Sequence, residues 1–219
     1  MQVEDLYINL FVTINDNPFI TETIVVTWGI MLFLVALSLL ITRNLKEIPG
    51  TLQQLMEVVM DGVLWLVDNT MGEDKRGFAP YMLTLSLFIL CANLVGLFGL
   101  RQPTADLNTA MAAALITFLM VHYFGVKSKG GLGYIKSFFQ PLAFLFPLNI
   151  VSELSLPISL GFRLFGNMLG SVVIMWLFYG FAPWIIPVVG HAYFDIFAGV
   201  IQTFIFVMLT MTFVTLAME

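Results

Sequence analysis

A lone arginine inside a long apolar stretch is the residue of this sequence whose chemistry most needs an explanation. Arg163 lies in the middle of VSELSLPISLGFRLFGNMLGSV, residues 151–172. On a helix, side chains four residues apart share a face, so this segment predicts a polar ladder of Ser155, Ser159, Arg163, Asn167 and Ser171. Because polar groups are unstable against lipid, we expect the ladder to face protein, trapped water or a moving partner.

The charge of Arg163 has no evident partner on its own helix. A charge at the centre of a membrane helix costs about 3 kcal/mol on insertion scales, and a guanidinium stays protonated at physiological pH. Glu153 comes ten residues earlier, about 15 Å away along a helix. Two interpretations stay open: a functional cation left free to act on a partner, and a structural cation that pairs elsewhere or reaches the membrane interface.

The composition predicts an all-α integral membrane protein. Of the 219 residues, 59% are hydrophobic and 11% are charged, with a mean hydropathy of +0.95, far from the values of a soluble domain. A soluble catalytic domain is therefore excluded, and no cofactor, metal or nucleic-acid partner is expected. The single cysteine, Cys91, lies in an apolar run and is interpreted as a small buried hydrophobe.

The first half of the chain alternates apolar runs of spanning length with charged turns. Ile24–Thr42 is the first span, and the Arg43 and Lys46 that close it mark the cytoplasmic side, so residues 1–48 comprise an outer N-terminus and this span. Residues 49–77 predict an amphipathic helix, capped by Thr51 and ending in a turn, that is too polar to span. We expect it on the cytoplasmic membrane face or packed against the bundle.

Residues 78–126 predict two further spans joined by an outer loop. Asn93 is the internal polar residue of the first, Phe78–Leu100, while Thr104 or Asp106 can cap the second, Leu107–Val126. The glycines and lysines of residues 127–140 then predict a cytoplasmic loop.

Residues 141–219 predict a long hairpin. A helix over Pro141–Gly180 would be about 60 Å long, twice the hydrocarbon thickness, so it must tilt steeply or break at Pro147 or Pro157. Phe181–Pro187 predicts the turn and Tyr193–Ala217 the returning helix. The fold class is thus about five membrane helices and one surface helix, with the last two forming a tilted hairpin and the C-terminus in the cytoplasm.

Hairpin geometry predicts which polar residues meet. If the turn is centred near residue 185, Gln202 lies opposite Met168, within a turn of Asn167 and Arg163. Asp195 then lies opposite Met175, near Ser171. The alternatives are that Gln202 makes an interhelical hydrogen bond and that Asp195 is a helix-end carboxylate near the interface.

Three motifs resemble subunit a of F-type ATP synthases. They are RLFGN (Arg163–Asn167) preceded by SLGF, the glutamine helix IQTFIF (Ile201–Phe206), and PTADLNTAMA (Pro103–Ala112). The order of spans matches as well, so the resemblance covers essentially the whole chain. It implies a multi-pass subunit of a bacterial plasma membrane that binds no nucleotide, lies in the lipid bilayer and provides two offset half-channels. Its implied partners are a rotating ring of c subunits, the b subunits of the peripheral stalk and the other ATP synthase subunits.

The resemblance also implies roles for individual residues. Arg163 matches the essential stator arginine, Asn167 and Gln202 match its polar neighbours, and Glu153 matches a carboxylate near the cytoplasmic access path. Asp195 falls in the outer half-channel, and the remaining expected members of the ion path are Ser159, Ser171 and Asn93. This sequence has Val172 where many relatives have glutamate and Gly96 where some have aspartate. The outer path is therefore expected to depend on Asp195, Asn93 and Gln202.

Two other classes of protein remain as alternatives. One is a stand-alone transporter or channel, although we find no repeat between the two halves of the chain, which transporters usually show. The other is a non-transporting scaffold of a membrane complex. The polar residues are compatible with either H⁺ or Na⁺ as the coupling ion.

Overall fold

A computed structural model describes residues 21–43, 50–139, 144, 146–181 and 186–219. Four sequence predictions fall outside these residues: the polar N-terminal stretch, Lys46 at the end of the first span, a helix start at Pro141 and the centre of the hairpin turn. The elements in the described part are helical. Five helical segments there are long and apolar enough to cross a membrane, which agrees with the predicted fold class.

The helices follow the predicted order. They are α1 (Glu22–Thr42), α2 (Thr51–Thr70), α3 (Ala79–Leu94), α4 (Leu107–Lys129), α5 (Gly131–Ser137), α6 (Phe146–Phe181), α7 (Ile186–His191) and α8 (Gly199–Met218). Short 3₁₀ segments cover Glu73–Phe78, Val95–Phe98 and Pro103–Ala105, and a π-helix covers Ala192–Ala198 between α7 and α8.

Helix α2 packs against the bundle, one of its two predicted positions. Its buried residues Val63 and Val67, together with Met71 directly after the helix, join a core that includes Met82 of α3 and Met211 of α8. The first helical residue is Thr51, with Gly50 at the N-cap position, so the prediction that Thr51 caps the helix was wrong.

A surface ion pair follows helix α2. Arg76 donates to both carboxylate oxygens of Asp68 at 2.8 Å, and these hydrogen bonds lower the pKa of Asp68 from its ordinary value. The predicted turn at residues 72–77 is a glycine with φ of 94° followed by the 3₁₀ segment Glu73–Phe78. Because only glycine adopts that φ without strain, Gly72 provides the change of direction and the residues after it coil again.

Helix α4 lies between the two hairpin arms and packs against both α6 and α8. Its small residues Ala110 and Ala114 are buried in a core with Leu160 and Leu164 of α6 and Phe206 of α8. A Cβ at Gly161 would lie 2.3 Å from Sδ of Met111. Small side chains therefore allow α4 and α6 to approach closely, as is usual between membrane helices.

Helix α6 is continuous over 36 residues, about 54 Å at 1.5 Å per residue. The sequence allowed a tilted helix or a break at Pro147 or Pro157, and the described helix has no break. Pro157 lies inside the continuous helix. Pro147 falls in its first turn, where proline is tolerated. A tilted position across about 30 Å of hydrocarbon remains the prediction that follows from this length.

Two further segments differ from the sequence predictions: the second arm of the hairpin, and the loop 127–140 that precedes its first arm. Helix starts again at Ile186 rather than Tyr193, because Pro187 is in the first turn and does not prevent helix formation. The predicted loop 127–140 contains the end of α4 and all of α5. The glycine in this loop with a positive φ, 73°, is Gly130, so it separates the two helices while Gly131 and Gly133 are helical. Cys91 is half-buried rather than buried.

Candidate functional site

The polar ladder of α6 lies on the side that faces away from the bundle. Ser155, Ser159, Arg163 and Asn167 are exposed, whereas Ser171 is buried. The opposite stripe of the helix forms its packed side, with Leu160, Leu164, Met168 and Met175 buried. The i, i+4 spacing therefore predicted the shared face, and the first four members of the ladder are open to a partner.

Arg163 is exposed near the middle of this surface. Within the described part of the chain, no hydrogen bond or ion pair involves its guanidinium. Cβ atoms built at Gly166 and Gly170 would meet nothing within 4 Å, so the helix surface beside Arg163 has free space at these glycines. Such a surface lets another helix approach the cation closely.

Asn167 and Gln202 join the two arms next to the arginine. Nδ2 of Asn167 donates to Oε1 of Gln202 at 2.5 Å, as the hairpin arithmetic predicted. Gln202 is 2% exposed, and its Nε2 has no partner among the described residues. One amide hydrogen-bonding group beside Arg163 is thus left available, and the interhelical hydrogen bond offered as the alternative for Gln202 is present as well.

A second polar cluster surrounds Asp195, which is 3% exposed. Its Oδ1 accepts from Nε2 of Gln102 at 3.0 Å, and its Oδ2 lies 2.5 Å from Nδ1 of His191. When this carboxylate is ionised it can only accept, and Nδ1 of His191 then carries the hydrogen. The hydroxyl of the exposed Tyr179 lies 2.7 Å from Nε2 of the same imidazole. A chain of hydrogen bonds therefore leads from an exposed hydroxyl to a buried carboxylate.

The π-helix places Asp195 in this cluster. Asp195 lies within Ala192–Ala198, and the extra residue of each π turn rotates the side chains that follow relative to an α-helix; such segments occur often at functional sites. Asp195 was expected near Ser171, but its hydrogen bonds go to Gln102 and His191, and Oγ of Ser171 has no partner in the described part. The alternative placed Asp195 at a helix end near the membrane interface. Asp195 is instead buried inside a continuous helical arm, while its depth in the membrane stays a prediction.

Asn93 connects this cluster to α8 and to the loop before α4. Its Nδ2 donates to the carbonyl oxygen of Gly199 at 3.1 Å and to Thr203 at 3.3 Å, and its Oδ1 accepts from Thr104 at 2.8 Å. The cap of α4 is Asp106, whose side chain accepts from the backbone N–H of Asn108. Thr104, the other predicted cap, serves Asn93 instead.

Gly96 explains how Gln102 reaches Asp195. A Cβ built on Gly96 would lie 2.3 Å from Nε2 of Gln102 and 3.1 Å from Cγ of Asp195. The glutamine amide also donates to the backbone oxygen of Asn93 at 2.8 Å. The missing side chain at residue 96 therefore makes the space in which the Gln102 amide binds the carboxylate.

Sequence reasoning missed Gln102, His191, Thr104 and Tyr179. His191 could have been found, because it precedes Asp195 by one helical turn and shares its face. Gln102 carries no such signal, since only the path of the loop between α3 and α4 brings it to the π-helix.

Glu153 lies near the N-terminal end of α6, whereas Tyr179 lies near the C-terminal end. Glu153 lines a cavity of about 380 Å³. The hydroxyl of Tyr134 donates to its Oε1 at 3.4 Å, and Nδ1 of His122 lies 3.9 Å from the same oxygen. Burial, followed by the charge of Glu153, raises the pKa of Tyr134 to about 12. Tyr134 is therefore a hydrogen-bond donor at neutral pH.

These features define a class: a multi-pass membrane protein that carries an exposed cation on the outer face of a helical bundle, together with two polar clusters. Such ionisable groups are typical of proteins that handle ions inside the bilayer. A family model described as ATP synthase A chain matches residues 24–215, and the chain belongs to this family.

Curated relatives agree with this assignment. The chain is 40% identical over 203 residues to ATP synthase subunit a of Trichlorobacter lovleyi, covering 90% of this chain and 87% of the relative. It is 40% identical over 198 residues to ATP synthase subunit a 3 of Pelobacter propionicus, covering 88% and 86%. It is also 34% identical over 236 residues to the Propionigenium modestum protein named ATP synthase subunit a, sodium ion specific, covering 95% and 82%.

Proposed function

We propose that this chain is the stator subunit that carries the ion path of an F-type ATP synthase and couples ion flow to ATP synthesis. The observation that carries the proposal is Arg163, an exposed cation with no ion pair in the described part of the chain. Family membership favours this function over a stand-alone transporter or channel. The chain itself binds no nucleotide in this role, since the chemistry of ATP belongs to other subunits.

The mechanism needs one fixed positive charge beside a moving ring of carboxylates. A carboxylate that has bound its ion is neutral and can face lipid, whereas an ionised carboxylate is costly there and favours the neighbourhood of Arg163. Each ring carboxylate must therefore release its ion before it passes the arginine. One charge crossing 100 mV releases about 2.3 kcal/mol, so several must cross for each ATP.

The two polar clusters supply the half-channels in this proposal. The outer half-channel comprises Tyr179, His191, Asp195, Gln102 and Asn93, and the inner one opens at the Glu153 cavity. Along α6, Glu153 precedes Arg163 by ten residues and Tyr179 follows it by sixteen, about 15 Å and 24 Å. Support for the order comes from this separation: the cation lies between the clusters and blocks a direct leak.

The same proposal assigns an orientation and partners. Residues 1–48 are an outer N-terminus and first span, 49–77 a cytoplasmic helix, 78–126 two spans, 127–140 a cytoplasmic segment and 141–219 the ion-path hairpin. The exposed part of the ladder, which includes Ser159, fits a surface against the c ring, and the buried Ser171 lies one helical turn beyond it. The b subunits of the peripheral stalk bind to another surface of the chain. The complex lies in a bacterial plasma membrane, and the C-terminus of this chain is in the cytoplasm.

Cross-linking tests the ring partner. A Ser159→Cys variant in a Cys91→Ser background, labelled with benzophenone maleimide and irradiated in membranes, is expected to yield an adduct with the small ring subunit, identified by mass spectrometry. Leu40→Cys is the matched control, because Leu40 is 71% exposed but lies on α1, which packs on α3 and the Pro103–Ala105 segment. Ring adducts from Leu40→Cys alone would contradict the proposal.

Thiol labelling tests the orientation. The short helix α5 follows Lys127 and Lys129, and positive residues mark the cytoplasmic side. A Leu132→Cys variant, at a position 88% exposed, is expected to react with an impermeant maleimide in inverted vesicles and not in intact cells. Labelling from the outer side would reverse the proposed topology.

A further inference from the structure

His122 and Glu153 approach each other at the end of the bundle where α4, α5 and α6 meet. Nδ1 of His122 lies 3.9 Å from Oε1 of Glu153, and the imidazole packs against Phe118 and Tyr134 with ring centroids 4.0 Å and 5.9 Å away. Glu153 lines the 380 Å³ cavity. His122 borders a separate open recess with Tyr123, Val126 and Lys127. The pair therefore lies between two openings.

The hydrogen bonds of His122 identify which nitrogen can bind a proton. Nδ1 lies 3.0 Å from the carbonyl oxygen of Phe118, and a carbonyl oxygen can only accept. Nδ1 is therefore the N–H of the neutral ring, and Nε2 is the basic nitrogen. When Nε2 binds a proton, the imidazolium lies beside the carboxylate of Glu153.

The other titratable groups near the pair do not replace it. Helix α5 contributes Tyr134, whose pKa of about 12 keeps it protonated. Helix α4 contributes Lys127 at the recess and Lys129 at the cavity. The residues of α8 that line the cavity, Phe213, Leu216 and Ala217, carry no titratable side chain. An imidazole is the group whose ordinary titration falls near neutral pH.

We propose that His122 and Glu153 form a proton-exchange pair that supplies the inner half-channel at neutral and alkaline pH. The proposal rests on the proposed ion path and adds a residue and an ion to it, since such a pair serves H⁺ and not Na⁺. A proton from cytoplasmic water binds Nε2, giving an imidazolium next to the carboxylate. The imidazolium then gives up a proton to the carboxylate of Glu153, which leaves the imidazole neutral again. Glu153 releases this proton to the water of the cavity that it lines, and the proton continues toward a ring carboxylate.

The test is the pH profile of ATP-driven proton uptake by inverted vesicles that contain the whole complex, since their outer medium reaches the cytoplasmic side. His122→Gln is expected to lower uptake several-fold at pH 8 and to leave it nearly unchanged at pH 6, where protons are abundant. Glu153→Gln is expected to show the same loss of proton uptake at pH 8 and the same near-normal uptake at pH 6. The double variant is expected to lose no more than either single variant, because the two residues act as a unit.

Tyr123→Phe is the matched control, because Tyr123 borders the recess beside His122 and is expected to keep the wild-type profile. A wild-type profile in His122→Gln overturns the proposal, and so does an equal loss at every pH, which indicates a structural role. Uptake of Na⁺ without protons overturns it as well. If Arg163→Ala abolishes pumping in the same vesicles, these outcomes reject the pair while the proposed ion path stands.

A second measurement does not depend on turnover. Diethyl pyrocarbonate modifies neutral imidazole, and the modified peptide that carries His122 can be quantified by mass spectrometry in the assembled complex. The His122 peptide is expected to be modified in the assembled wild-type complex, because Nε2 must meet water in the recess in order to bind a proton. An unmodified His122 peptide overturns the proposal.

Discussion

Arg163→Lys is expected to abolish ATP synthesis in a complex that assembles normally. The lysine keeps a positive charge, but its compact, strongly hydrated ammonium loses its proton more readily when buried and lacks the planar, delocalised charge of the guanidinium. A stator cation must present a permanent charge across a gap to each ring carboxylate in turn. The measurement is ATP synthesis and ATP-driven ion uptake in vesicles, with subunit content determined by blotting.

The matched control is Arg43→Lys, at an exposed arginine that follows the end of α1 and is expected to retain activity. A structural salt bridge would tolerate lysine at position 163, so high activity in Arg163→Lys would favour the structural interpretation. Arg163→Ala is expected to differ in kind: pumping stops while passive ion leak through the membrane sector rises, because no cation separates the half-channels. Sustained synthesis in an assembled Arg163→Ala complex would reject the mechanism.

Asp195→Asn is expected to slow ATP-driven ion pumping by about 100-fold, the lower end of the range for loss of a positioned proton-transfer group. Asparagine has nearly the same shape, and its carbonyl oxygen can still accept from Gln102, so assembly is expected to be intact. The variant cannot carry a negative charge, so the proposed outer half-channel loses its carboxylate beside His191. ATP-driven uptake and the content of each subunit are measured in the same vesicles.

The matched control is Asp106→Asn, because Asp106 is the N-cap of α4 and asparagine caps helices about as well as aspartate. Wild-type pumping in an assembled Asp195→Asn complex would remove Asp195 from the ion path. If Asp106→Asn fails to assemble while Asp195→Asn assembles normally, the first result reports on the helix cap alone, and the pumping of Asp195→Asn still tests the ion path.

The sequence predicted those features that depend on spacing along one helix or across one hairpin. Apolar length predicted the five spans, and the interval of four residues predicted the shared face of Ser159, Arg163 and Asn167. The hairpin arithmetic predicted that Gln202 lies close to Asn167, and the two side chains are hydrogen-bonded. These predictions succeed because a helix has a fixed rise and a fixed number of residues per turn.

The sequence could not predict contacts that depend on how a loop crosses the bundle. The approach of Gln102 to Asp195 requires the 3₁₀ turn at Pro103–Ala105, a positive φ at Gly99 and the free space at Gly96. The π-helix could not be predicted either, because the change in its backbone hydrogen bonding does not alter the hydropathy pattern of the sequence. The start of the second hairpin arm was also predicted wrongly, because Pro187 was assigned to the turn and instead lies in the first turn of a helix.

The contact between Gly96 and Gln102 also limits how this site can change in evolution. Any side chain at residue 96 would occupy the position of the Gln102 amide, so a lineage that gains one there must first shorten or lose the glutamine. While the glutamine is present, a carboxylate at residue 96 is sterically excluded, and Asp195 keeps an amide neighbour at that position instead of a second negative charge. The two positions are therefore expected to vary together, and a chain with glycine at one of them and glutamine at the other represents one of two mutually exclusive solutions.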